Sequence, residues 1–202
     1  MALFSSPEEN TYLSDPDVTL MLDFQKGNKA SFEKLMSKYY KPLLNFIYRF
    51  VGNADTAEDL TQDVFIKVYN SVATYRPAAK FRTWLYQIAR NASLNELRRN
   101  KWQTVSLDET FDTEDGETTR QIADPKAENP SQEMTQHETA ELIKDAIASL
   151  PENQKTAVLL RRYEDMSYEE IAKTMNCSLE AVKSLLSRAK ENLKEKLKNL
   201  ER

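Results

Sequence analysis

Apolar side chains recur every three or four positions along most of this chain, the period of helices that bury one face. Asp15 followed by Pro16 reads as a helix cap and first turn, and Val18, Met21, Leu22 and Phe24 form a short apolar stripe that Gly27 ends. From Ala30 the positions Phe32, Leu35, Met36, Tyr39, Leu43, Phe46, Ile47 and Phe50 keep helical register, with a kink predicted at Pro42. "VGNAD" breaks the pattern, and a third helix starting near Asp55 buries Leu60, Val64, Phe65 and Val68. The loop "TYRPAAK" leads into a fourth helix, "KFRTWLYQIARNASLNELRRNK". At 100° per residue its apolar face holds Phe81, Trp84, Leu85, Ile88 and Ala92, with Gln87, Asn91 and Arg98 on one flank and Thr83 and Arg90 on the far side.

Periodicity fades after Gln103. The stretch to about Ser131 is acidic, carries two prolines and reads as a flexible linker that lets the flanking parts move independently. Helical patterning resumes near Glu133 with "ETAELIKDAIASL", and Pro151 opens "PENQKTAVLLRRYED". Ser167 with Glu170 three residues on is a capping box, with Ile171, Ala172 and Met175 on the inner face of the short helix that follows. "NCS" makes a turn, Ser178 caps the last helix, and Val182, Leu185, Leu186 and Ala189 line its inner side. This is a helix-turn-helix, whose second helix suits a major groove. Its outward positions Lys183, Ser184, Ser187 and Arg188 are side chains that take base edges or phosphates.

The expected fold is all-α. Residues 1–16 form a tail, 17–102 one small domain, 103–132 the linker and 133–202 a second domain. Composition agrees, because only three glycines occur in 202 residues. One cysteine and one histidine leave no disulfide framework, usual zinc site or histidine-based triad. Neither a metal nor another cofactor is expected. Cys177 fits a small buried turn residue, and His137 has no chemical partner. Without a long apolar run or a basic-flanked leader, the sequence predicts a cytoplasmic protein with no membrane insertion.

Charge changes the picture more. The net charge is −4, yet residues 17–102 carry 14 basic and 8 acidic side chains, and residues 103–136 carry 2 and 9. Residues 76–101 hold 7 basic groups and 1 acid, which points to a nucleic acid partner despite the acidic total. Tyr75 offers a stacking ring beside Arg76 and Lys80, in the manner of single-strand binders. Asp55, Glu58, Asp59, Gln62 and Asp63 make the third helix acidic on its outer face, either as solvated surface or as a dock for a basic protein. The residues alone leave open a stand-alone DNA-binding regulator, and a nucleic acid enzyme that would need Asp59 and Asp63 to hold a metal.

"AEDLTQDVFIKVY", "FRTWLYQIARN" and "SYEEIAKTMNCSLEAVKSLLSRAKENL", in that order and separation, resemble the extracytoplasmic-function sigma factors of the sigma-70 family of bacterial RNA polymerase. The resemblance spans residues 17–101 and 133–198 and implies a non-enzymatic subunit. Such a subunit binds core polymerase, directs it to promoters and promotes melting. By the family pattern, Asp59, Gln62, Asp63 and Phe65 would meet the clamp helices of the largest polymerase subunit. Tyr75, Arg76, Ala79, Lys80, Arg82, Arg90, Asn91, Arg98 and Arg99 would serve the minus-10 element, with Asn91 and the loop from Tyr75 to Lys80 taking a flipped base. Lys183, Ser184, Ser187 and Arg188 would read the minus-35 element, and the second domain would meet the flap of the second-largest subunit. The linker would thread the channel that holds template and nascent RNA, or would be only a solubilising tether. The pattern also implies an anti-sigma factor, able to hold the bacterial protein at the inner membrane. Leu179, Glu180, Ala181 and Leu185 depart from the pattern, and Glu180 is unfavourable beside phosphates.

Overall fold

A computed structural model describes residues 12–107 and 130–198, with side chains over 12–100 and 139–198. Among these residues the regular structure is helical throughout. The elements are α1 (Pro16–Gln25), α2 (Lys29–Val51), α3 (Ala54–Asn70), a 3-10 turn at Val72–Thr74, α4 (Phe81–Leu107), α5 (Pro130–Ala148), α6 (Glu152–Arg162), α7 (Tyr168–Met175) and α8 (Leu179–Lys196). Helices α4 and α5 thus reach into the stretch assigned to the linker. Residues 1–11, the acidic segment 108–129 and the side chain of His137 lie outside the described parts.

Local chemistry sets the helix ends. The Asp15 side chain accepts from Asp17 N at 3.0 Å and caps α1, and Asn53 accepts from Thr56 N at 2.8 Å to cap α3. Each such cap is worth about 1 kcal/mol. Gly52 stops α2 in the left-handed region at φ 82°, where a Cβ is disfavoured. Pro42 lies inside α2 without ending it. The fully buried Leu43, Phe46 and Ile47 follow it, and each contributes about 1.5–3 kcal/mol of burial against a cost of about 3 kcal/mol for the proline.

In the first unit α2 is central, packed on α1, α3 and α4. Val18, Met21, Leu35, Leu43, Phe46, Ile47, Val64, Val68, Phe81 and Leu85 fill its core. Asp17, itself buried, accepts from Lys38 Nζ at 2.6 Å and Tyr39 Oη at 2.5 Å, so its charge is paired. In the second unit α6, α7 and α8 pack on one another around Leu159, Leu160, Ile171 and Val182, and α5 lies against α8. Ser167 and Glu170 form the expected capping box, and Ser178 caps α8. Asn176 ends α7 at φ 51°, a left-handed position that asparagine tolerates.

The linker predicts units free to move, but here they pack together. Helix α4 rests on α7 and α2 on α6. Lys155, almost wholly buried, donates from Nζ to Phe50 O at 2.8 Å, and burial lowers its pKa. The Arg49 guanidinium stands 4.1 Å from the centre of the Tyr163 ring. Helix α4 is therefore covered from two sides. Thr83, placed on the outer side by periodicity, is buried, and so is Tyr86.

Candidate nucleic-acid interface

The candidate strand-holding residues lie along α4 and in the loop before it. Arg76 and Lys80 are exposed in the loop, Ala79 is half-buried, and Asn91, Arg98 and Arg99 are exposed on α4. Arg99 pairs with Glu96 at 2.8 Å, so part of its charge is already answered. Tyr75 is a correction to the sequence reading. Its ring is 5% exposed and packs on Trp84 at 5.0 Å between centroids, which closes it as a stacking platform in this conformation. Its hydroxyl has no hydrogen-bond partner among the described residues, and burial, with Asp15 adding to it, pushes its pKa up. Trp84 is half-buried on the core side, as periodicity predicts.

Three of the basic residues are engaged by the second unit. Lys80 Nζ lies 2.9 Å from Glu170 Oε1. Arg82 donates to Glu164 O, and Tyr86 Oη donates to the Glu164 carboxylate. Arg90 donates from one amino group to Asn153 Oδ1 at 3.0 Å and from the other to Asn91 Oδ1 at 3.4 Å, and burial lowers its pKa. Burial pushes the Glu164 carboxyl up, against the opposing Tyr86 hydrogen bond and the Arg82 and Arg49 charges. At Glu170 burial also acts upward, but Lys80 and the Ser167 backbone outweigh it and hold the carboxyl low. No periodicity could have revealed Glu164 or Asn153, because each meets α4 only across the interface between units.

On α3 the acidic side chains Asp55, Glu58, Asp59 and Asp63 and the amide Gln62 are all exposed. Phe65, carried over as a docking residue, is instead 4% exposed, with its ring 6.3 Å from Tyr40 and 6.5 Å from Phe32. Exposed apolar surface on this helix comes from Ile66, 57% exposed and one turn beyond Gln62, and from Tyr69. The helical spacing of Ile66 from Gln62 and Asp63 was the available signal.

On α8 the four outward residues Lys183, Ser184, Ser187 and Arg188 are all exposed, with Val182 and Ala189 buried beneath them. Glu180 is exposed in the first turn. On the other side of α8 an open groove is lined by Ile143, Val158, Leu186, Leu193 and Leu197, with Lys190 and Lys194 also on its wall. No group of three or more histidine, cysteine or acidic residues among the described residues is arranged to hold a metal ion, and no described helix is long and apolar enough to cross a membrane.

Residues 35–103 match the family described as Sigma-70 region 2, and residues 140–193 match Sigma-70, region 4. The chain is 35% identical to the RNA polymerase sigma-H factor of Pseudomonas aeruginosa, over 92% of this chain and 96% of that protein. It is 34% identical to the ECF RNA polymerase sigma-E factor of Haemophilus influenzae, over 91% and 96%. Its fold is similar to that of CnrH, solved in complex with the cytosolic domain of CnrY, at TM-score 0.67 and 20% identity over 91% of this chain and 97% of that one. It is also similar to RpoE of Bartonella quintana, solved with the anti-sigma factor NepR, at TM-score 0.63 and 24% identity over 83% and 96%.

Proposed function

The chain belongs to the sigma-70 family, among its extracytoplasmic-function sigma factors, and from that premise we propose how its surfaces divide the work. As a sigma factor it directs RNA polymerase to promoters and is a specificity subunit rather than an enzyme. Domain 17–102 binds the clamp helices of the largest subunit through Asp59, Gln62, Asp63 and Ile66, an acidic rim around one apolar contact. Its α4 face and the loop of residues 76–80 hold the minus-10 strand, with Asn91 offering an amide to an extruded base and Lys80, Arg82, Arg90 and Arg98 the phosphates. Domain 133–202 reads the minus-35 element through Lys183, Ser184, Ser187 and Arg188. The apolar groove beside α8 suits the flap of the second-largest subunit.

The observation that carries this reading is the coexistence, in one chain, of an acidic exposed face on α3, a basic face on α4 and an exposed basic recognition helix. Because Lys80, Arg82 and Arg90 are engaged by the second unit, strand capture requires that unit to leave. An anti-sigma factor, with membrane attachment through it, fits the same scheme. Purified protein should make core polymerase initiate at one promoter class selected from random DNA. Failure to bind core polymerase would end this reading.

A further inference from the structure

The loop between the 3-10 turn and α4 is anchored at both ends by α1, which lies before the residues that match the family's region 2. At its start, Gln25 Nε2 donates to Val72 O at 2.7 Å and to Tyr75 O at 3.3 Å, with Ala73 O at 3.4 Å. One side-chain amide therefore gathers three carbonyls, of which Val72 O also accepts the 3-10 bond from Tyr75 N and Tyr75 O a bond from the Arg76 guanidinium. At its end, Asp15 Oδ2 accepts from Phe81 N at 3.1 Å, while Oδ1 of the same carboxylate accepts from Asp17 N. Asp15 thus caps two helices at once. Helix α4 begins after Lys80, whose side chain supplies no acceptor, so the cap of α4 comes from a residue 66 positions earlier.

Between these posts lie Arg76, Pro77, Ala78, Ala79 and Lys80, and Ala78 N donates to Arg76 O at 2.9 Å in a tight turn. Arg76, Ala78 and Lys80 project to solvent. A short loop with both ends fixed loses little further entropy when it grips a ligand. Apolar burial of Val18, Met21 and Phe24 explains why α1 is present, but not why its two polar ends converge on one loop.

We propose that α1 is a brace that sets the conformation of the 76–80 loop, with Asp15 and Gln25 as its positioning residues. This rests on the reading of that loop as part of the minus-10 strand-holding surface.

The test uses full-length protein with core polymerase and a selected promoter. Asp15→Ser keeps a side-chain cap for α1 but is too short to reach Phe81, and Gln25→Met keeps the length of the side chain without its donor. Each should slow open-complex formation about tenfold, the order expected when positioned hydrogen bonds are lost, and leave affinity for core polymerase within about twofold. Hydrogen exchange over residues 72–81 should quicken in both, with α1 itself still protected, and Gln25→Lys, which restores a donor, should recover opening. Unchanged opening in both variants, or a loss of polymerase affinity equal to the loss of opening, overturns the brace. Wild-type holoenzyme that fails to open the promoter overturns instead the reading on which the brace rests.

Discussion

Lys80 Nζ stands 2.9 Å from Glu170 Oε1, so a loop residue assigned to DNA is paired with the capping-box glutamate of the helix-turn-helix. One carboxylate stabilises α7 and pairs with a cation proposed to meet phosphate. Glu170→Gln keeps the capping box, since an amide can serve at that position, and removes the charge. Because the Lys80 side chain is largely exposed, the pair is weak. The isolated protein should bind a single-stranded oligonucleotide about threefold more tightly in this variant, read by fluorescence anisotropy. Equal binding would show that the pair does not mask the loop.

Glu164 should give closure of the two units a pH dependence. Its carboxyl is raised in the closed form, chiefly by burial. Its contribution to closure is therefore fully present below its ordinary value of 4.5 and is lost as pH rises through the raised value. Glu170 is held low, so its contribution fades only below the ordinary carboxyl value, outside a window of about pH 5–7. In a His137→Gln background, which removes the single histidine, energy transfer between dyes on the two units should rise from about pH 7 to 5. Glu164→Gln keeps an acceptor for Tyr86 and should flatten that response.

Polymerase binding and strand opening should separate by helix. Asp63→Arg and Ile66→Glu should each weaken core polymerase binding about tenfold or more. Asn91→Ala should slow promoter opening with little loss of polymerase binding. Titration of labelled core polymerase beside an opening assay checks both, and equal effects of all three variants in both assays would count against the division.

Glu180 should weaken minus-35 binding, since it places a negative charge in the first turn of the helix proposed to meet that duplex. Glu180→Gln should tighten duplex binding by the holoenzyme about threefold at low salt, with the gain shrinking as salt rises. A gain that does not depend on salt would point to a base contact instead.

Gly52→Ala tests the backbone. At φ 82° nothing lies within 4 Å of an added Cβ, so the cost is conformational alone. About 1 kcal/mol is expected, and a fall in Tm of about 2–4 °C by calorimetry.

The sequence by itself determined the helices, their caps and their inner faces, because each rests on neighbours within one or two turns: Asp15 before Pro16, Ser167 with Glu170, Val182 with Ala189. It also placed Asp59, Asp63 and Lys183 at the surface, since one-sided periodicity settles which way a side chain on a singly covered helix points. Only the tertiary structure decided the rest. Helix α4 has two covered sides, so Thr83, Tyr86 and Arg90 escaped a one-face rule. Tyr75 and Phe65 turned inward because rings from distant positions, Trp84 and Tyr40, complete their packing. The reach of Asp15 to Phe81, of Gln25 to Val72 and of Lys155 to Phe50 depends on helices meeting across tens of residues, where no local period carries information.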